Sequence, residues 1–147
     1  TQMLDPQKHK FHTNPALYIF AENARFSVGY YDKQIAEKIH PGVYAWTVQS
    51  QQGEIIPMYI GLYGQRATRP SLRNRFGQHL RGLNSALAGN PPTNHWRDCL
   101  VPAARRIVFD QKGRIDVYFG HFRRDEIVDL EARLIQMYRP AWNSRGL

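Results

Sequence analysis

Gly42-Val43-Tyr44-Ala45-Trp46-Thr47-Val48, a polar turn from Gln49 to Glu54, then Ile55-Ile56-Pro57-Met58-Tyr59-Ile60-Gly61-Leu62: this stretch decides the fold. Both apolar runs are rich in β-branched and aromatic residues. The turn between them is short and carries Gly53. The pattern predicts an antiparallel hairpin. Pro57 has no N–H to give to a ladder, which places its run at a sheet edge or its own position at a strand start. Pro41-Gly42 breaks the chain before the hairpin, and Gly61 and Gly64 mark a loop after it.

Helical periodicity takes over downstream. Ser71 is placed to cap a helix running through about Leu83, with Leu72, Phe76, Leu80 and Leu83 as its apolar stripe. Arg75 and His79 stand four residues apart on it and so share a face. Gly89-Asn90-Pro91-Pro92 reads as a turn. Thr93 or Asn94 starts a second helix through Trp96 and Leu100, ended by Pro102. Arg106-Ile107-Val108-Phe109 and Ile115-Asp116-Val117-Tyr118-Phe119 read as strands joined at Gln111-Lys112-Gly113. Asp125 opens a last helix and Pro140 ends it, with Ile127, Leu130, Leu134 and Tyr138 as the stripe. Glu131 falls within that stripe, where an unpaired charge is costly. Either a neighbouring Arg or backbone group satisfies it, or it is a metal ligand or catalytic carboxylate facing a cleft.

Upstream, Tyr18-Ile19-Phe20 and Phe26-Ser27-Val28-Gly29-Tyr30 have the composition of short strands, and Asp32 to Ile39 that of a short helix capped by Asp32. Lys8-His9-Lys10-Phe11-His12 reads as a loose basic terminus rather than a metal tract. Residues 1–41 are therefore assigned as an N-terminal extension and 42–147 as the main body of one compact domain.

Composition narrows the function. A chain of 147 residues suits a single domain with a real core. One cysteine excludes an internal disulfide framework and any multi-cysteine zinc or iron–sulfur site. No apolar run is long enough for a membrane span, and Thr1 to Pro6 lack a signal-peptide core, so a cytoplasmic protein is expected, with export left open. The formal charge of +8 points to an anionic partner. Nearly all of it lies in residues 60–109, where eight arginines face only Asp98. They are Arg66, Arg69, Arg73, Arg75, Arg81, Arg97, Arg105 and Arg106. The planar guanidinium fork matches phosphate oxygens. The charge is thus a solvated basic face or a nucleic-acid phosphate track.

Four pieces, taken in order, resemble the GIY-YIG nuclease superfamily. Gly42-Val43-Tyr44 stands on one strand and Tyr59-Ile60-Gly61 on the next. Arg75 and His79 follow on a helix, and Glu131 stands on a late helix twelve residues before Asn143. The resemblance covers roughly residues 41–145. Val43 stands where isoleucine is usual, and Leu62 and Tyr63 follow the second tripeptide where many members carry a lysine; Arg66 or Arg69 is available to supply that charge. The stretches from Gly61 to the helix and from about Asn84 to Lys112 are long for a minimal module.

The resemblance implies an α/β (α+β) fold, a three-stranded antiparallel sheet flanked by helices, with an N-terminal extension and a middle insertion. It implies an endonuclease that hydrolyses DNA phosphodiester bonds, RNA not being excluded, with Mg²⁺ (or Mn²⁺) held by Glu131. Tyr44 would be the general base and Tyr59 would hold the water or the phosphate. Arg75 would clamp the scissile phosphate. His79 would assist Tyr44 or bind phosphate, and Asn143 would support the site. Gly61 would admit a close backbone approach, and Arg66, Arg69, Arg73, Arg81, Arg105 and Arg106 would contact substrate. Among settings, a small restriction enzyme comes first, acting as monomer or homodimer on DNA. A repair nuclease, an antibacterial toxin and a non-catalytic nucleic-acid-binding module are the alternatives.

Overall fold

The computed structural model describes residues 2–34, 41–64, 72–90 and 102–143, with backbone alone for 72–75. Most of the helix expected after Asp32, the Ser71 cap, the helix expected over 93–100 with Trp96 and Cys99, and Arg66, Arg69 and Arg97 lie outside the described residues. The expected hairpin is present: β3 (Gly42–Gln49) and β4 (Ile55–Tyr63) pair antiparallel. Gly53 takes a φ of 83° in the turn between them, a value that favours glycine. A bulge at Trp46/Thr47 leaves Met58 without a cross-strand partner and sets Pro57 opposite Thr47.

The sheet has five strands, not three. β1 (Leu17–Glu22) and β2 (Arg25–Tyr30) form a second hairpin, and β5 (Ile115–His121) lies between the two hairpins. The order is β2-β1-β5-β3-β4, all neighbours antiparallel. The segment assigned as an extension therefore completes the sheet. Asn23 and Ala24, with φ of 53° and 60°, make the tight turn whose twist suits a two-residue hairpin.

That topology explains a second correction. Arg106 to Phe109, expected as a strand, instead falls in a π-helical turn over Arg106–Asp110. β1 already occupies the edge of β5 that a further strand would need. Val108 is instead turned into the core and Phe109 packs edge-on against Phe26, ring centroids 5.0 Å apart. The Gly113 N–H closes the turn on Ile107 O at 2.8 Å.

Alternation along the strands sorts the core into two layers. Leu17, Ile19, Tyr44, Trp46, Val117 and Phe119 face one way and meet α1 (Leu72–Leu87) through Phe76 and Leu83. Val43, Ala45, Ile60 and Tyr118 face the other way and meet α2 (Ile127–Tyr138) through Ile127, Leu134, Ile135 and Tyr138. α2 ends at Arg139, whose left-handed φ of 47° lets its N–H reach Ile135 O at 2.7 Å ahead of Pro140.

The basic terminus is not loose. Leu4 and Phe11 are buried in the second layer. The Leu4 N–H donates to Ile55 O at 2.8 Å and the His12 N–H to Phe119 O at 2.9 Å. The His9 imidazole hydrogen-bonds the Tyr138 hydroxyl. The apolar side chains of Leu4 and Phe11 supply the burial that a purely basic reading of this segment overlooks.

Candidate active site

Register brings the two tripeptides together. Tyr44 stands opposite Gly61, Trp46 opposite Tyr59, and Gly42 opposite Tyr63. Tyr44, Tyr59 and Tyr63 therefore share the sheet face that α1 covers. The space a side chain at Gly61 would fill is taken by the Tyr44 phenol: an added Cβ would lie 2.5 Å from its hydroxyl oxygen. Gly42 is filled by the Tyr63 ring in the same way, and Gly29 by Tyr18, its cross-strand partner. Each glycine thus lets the tyrosine opposite fold across the neighbouring strand, covering backbone that a bare glycine would leave to water.

From above, α1 lowers His79 onto this face. The Tyr44 hydroxyl and His79 Nε2 are hydrogen-bonded at 2.8 Å, and both residues are buried. With the imidazole proton on Nδ1, the phenol donates to Nε2. Phe76 lies edge-on to Tyr44 at 5.3 Å, and Tyr59 stands 6.3 Å from Tyr44 and 6.2 Å from His79, ring to ring. Tyr59 is the half-buried member of the trio. Trp46 packs against Tyr59, Phe76 and His79, and its indole N–H is buried with no hydrogen-bond partner among the described residues.

A second tyrosine–histidine pair lies beside the first. The Tyr63 hydroxyl and His121 Nδ1 are 3.0 Å apart. Burial pushes the Tyr63 phenol well above the usual tyrosine range. Neither residue is evident from the tripeptides. The signal was the period of two, which puts Tyr63 on the face of Tyr59 and Gly61, and His121 on that of Phe119.

The remaining candidates are positioned differently. Asn143 clamps the free edge of β4: the Ile60 N–H donates to its Oδ1 at 2.8 Å, and its Nδ2 donates to Ile60 O at 2.9 Å. Ile60 is the middle residue of the second tripeptide. The Trp142 N–H adds a bond to Met58 O at 2.8 Å. Glu131 is half-buried on α2, the helix that packs on the sheet face opposite Tyr44. Arg75 sits one helical turn before His79, and Arg73 at the start of the same helix; their side chains are outside what is described. Arg81, Arg105 and Arg106 are exposed. Arg66 and Arg69 fall outside the described residues.

The donor set bears on a metal. Among the described residues there is no cluster of three or more His, Cys, Asp or Glu side chains able to hold an ion. One hard carboxylate, Glu131, fits a cation such as Mg²⁺, which keeps water ligands and takes oxygen from a bound phosphate. No helix among the described residues is long and apolar enough to cross a membrane.

Set against protein-family models, curated proteins and solved structures, the chain matches none.

Proposed function

We propose that this protein is a divalent-metal-dependent endonuclease of the GIY-YIG type that hydrolyses DNA phosphodiester bonds, in the first instance as a small restriction enzyme. The observation that carries the reading is the buried Tyr44–His79 hydrogen bond, set beside Tyr59 on the face where the two tripeptides meet.

An ordinary tyrosine, with a pKa of ~10, is a weak base at neutral pH. A neutral His79 changes that, because Nε2 takes the phenolic proton as Tyr44 takes one from water. The water oxygen then attacks phosphorus, the bond from phosphorus to the leaving oxygen breaks, and solvent protonates that oxygen. Tyr59, half-buried beside the pair, offers a hydroxyl to orient water or a phosphate oxygen. Arg75 is the residue assigned to the charge that grows on the phosphate. Glu131 would hold Mg²⁺, or Mn²⁺ in its place, which supplies Lewis acidity when bound.

Plasmid DNA incubated with the protein and Mg²⁺ should be cut, and Glu131→Ala should abolish cutting. Discrete fragments support restriction, whereas a smear supports a non-specific nuclease such as a toxin. Binding without cleavage of DNA or RNA by the parent protein overturns the enzyme and leaves a nucleic-acid-binding module.

A further inference from the structure

The groove between the β1–β2 turn and α1 has no part in the chemistry above. It consists of two adjoining concavities of about 430 and 460 Å³. Arg25, Arg81 and Asn84 line both and so stand between them. The geometry points to this groove as a second binding surface, one that takes the sugar–phosphate backbone of the nucleic acid outside the cutting site. The inference rests on the nucleic-acid reading of the protein, but not on cleavage.

Three observations support it. First, the two arginines are uncommitted. Arg114 and Arg123 make ion pairs with acidic neighbours, and Arg124 bonds Gly64 O. Arg25 and Arg81 have no hydrogen-bond or ion-pair partner among the described residues, and both are exposed. Second, they converge from independent elements. Arg25 follows the tight Asn23-Ala24 turn, and Arg81 lies on α1 with its guanidinium over Gly77, where an added Cβ would stand 3.6 Å from Nη1. Third, the walls are fixed. Asn84 ties α1 to β2, taking the Phe26 N–H on Oδ1 at 2.8 Å and donating from Nδ2 to Phe26 O at 3.0 Å. A groove whose sides are hydrogen-bonded to each other needs little ordering when it binds.

Two guanidinium forks without a partner among the described residues, set among the amides and hydroxyls of Asn90, Ser85 and Ser27, suit phosphate and sugar oxygens. Glu22, the cross-strand partner of Arg25, is the one carboxylate among the described residues that line either concavity. A strand held there would bear on the same helix that presents His79. The β1–β2 hairpin, which the three-stranded expectation left out, thus acquires a role.

The test is the salt dependence of binding to a labelled DNA duplex, measured without divalent metal so that nothing is cut. Arg25→Ala should weaken binding about three- to tenfold at low salt and lower the slope of log affinity against log salt by about 1. Arg25→Ala/Arg81→Ala should lower the slope by about 2. Arg133→Ala, which removes the same charge from an exposed position on α2, should leave the slope unchanged. Equal slopes for the parent and Arg25→Ala overturn the groove, and so does an equal fall in Arg133→Ala. A parent that binds neither DNA nor RNA overturns groove and nuclease together. A parent that binds through Arg25 but never cuts upholds the groove while the nuclease falls.

Discussion

Tyr44 is constrained from three directions at once. Gly61 gives it room across the neighbouring strand, His79 takes its hydroxyl, and Phe76 presses on its ring edge. These constraints separate in two substitutions. Tyr44→Phe keeps the ring and removes the hydroxyl, leaving His79 Nε2 without that bond. Stability should fall by about 1–3 kcal/mol, since a buried polar group is stripped of its partner. Single-turnover cleavage should fall at least about a hundredfold, the low end of what general-base groups contribute. Gly61→Ala keeps every polar group but drives a methyl into the Tyr44 phenol, costing about 1–3 kcal/mol by overpacking. Cleavage should fall because Tyr44 leaves His79. Urea unfolding beside cleavage rates checks both; an unchanged rate in Tyr44→Phe removes the base. Much of this was legible in the sequence. The period of two placed Tyr59 and Gly61 on one strand face, and helical spacing put His79 one turn from Arg75. The partnership between Tyr44 and Gly61 was not, because it depends on hairpin register, and a bulge at Trp46/Thr47 shifts that register.

At the level of elements, two asparagines do one job at opposite ends of the sheet. Asn84, from α1, makes two bonds to Phe26 on β2. Asn143, from the segment after α2, makes two to Ile60 on β4. β2 and β4 are the two outer strands. Each amide matches the donor and acceptor that one edge residue turns outward. Asn84→Ala and Asn143→Ala should each cost about 1–3 kcal/mol, read from the urea midpoint, because each frees two backbone groups in a packed setting. Loss of cleavage is expected in addition for Asn143→Ala, since Ile60 lies between Tyr59 and Gly61; cleavage at the parent rate would show that the clamp serves the edge alone. Asn143 stood out in the sequence only through the family resemblance, in which it follows Glu131. Asn84 did not, because one asparagine in an amphipathic helix looks like any polar surface residue. The π-helical turn was equally opaque: Ile107-Val108-Phe109 has strand composition, and only the presence of β1 beside β5 denies it a partner.

For the whole molecule, the N-terminal residues count for more than their composition suggests. They supply two of the five strands and a strap over the second core layer. Charge and turn signals obscured this; the apolar residues that do the work (Leu4, Phe11, Leu17, Ile19 and Phe26) are dispersed among polar ones. The same region makes stability sensitive to alkali. Tyr31 hydrogen-bonds Asp116 at 3.0 Å and lies 5.6 Å from the Arg114 guanidinium. Its phenol is pushed up to about 12, first by burial and then by the Asp116 hydrogen bond and charge. Between the ordinary value of 10.0 and that value, the unfolded chain has released the proton while the folded one keeps it. The contribution is therefore complete below pH 10.0 and disappears as pH rises toward 12. Tyr63, Tyr118 and Tyr138 are displaced in the same direction by burial. Tyr31→Phe should flatten part of the alkaline decline in melting temperature; an unaltered decline would show that Tyr31 contributes nothing to it.

The clamps on the two outer strands also bear on how copies of this chain can meet. A strand ladder grows by hydrogen-bonding to the groups an edge leaves vacant. Here Asn84 answers for Phe26, while Asn143, Trp142 and Leu4 answer for Ile60, Met58 and Ile55. A second molecule cannot extend the sheet at those positions without first evicting these caps. Any pair assembled to cut both strands of a duplex is thereby directed to helices and loops, and the fold carries its own barrier against strand-by-strand polymerisation.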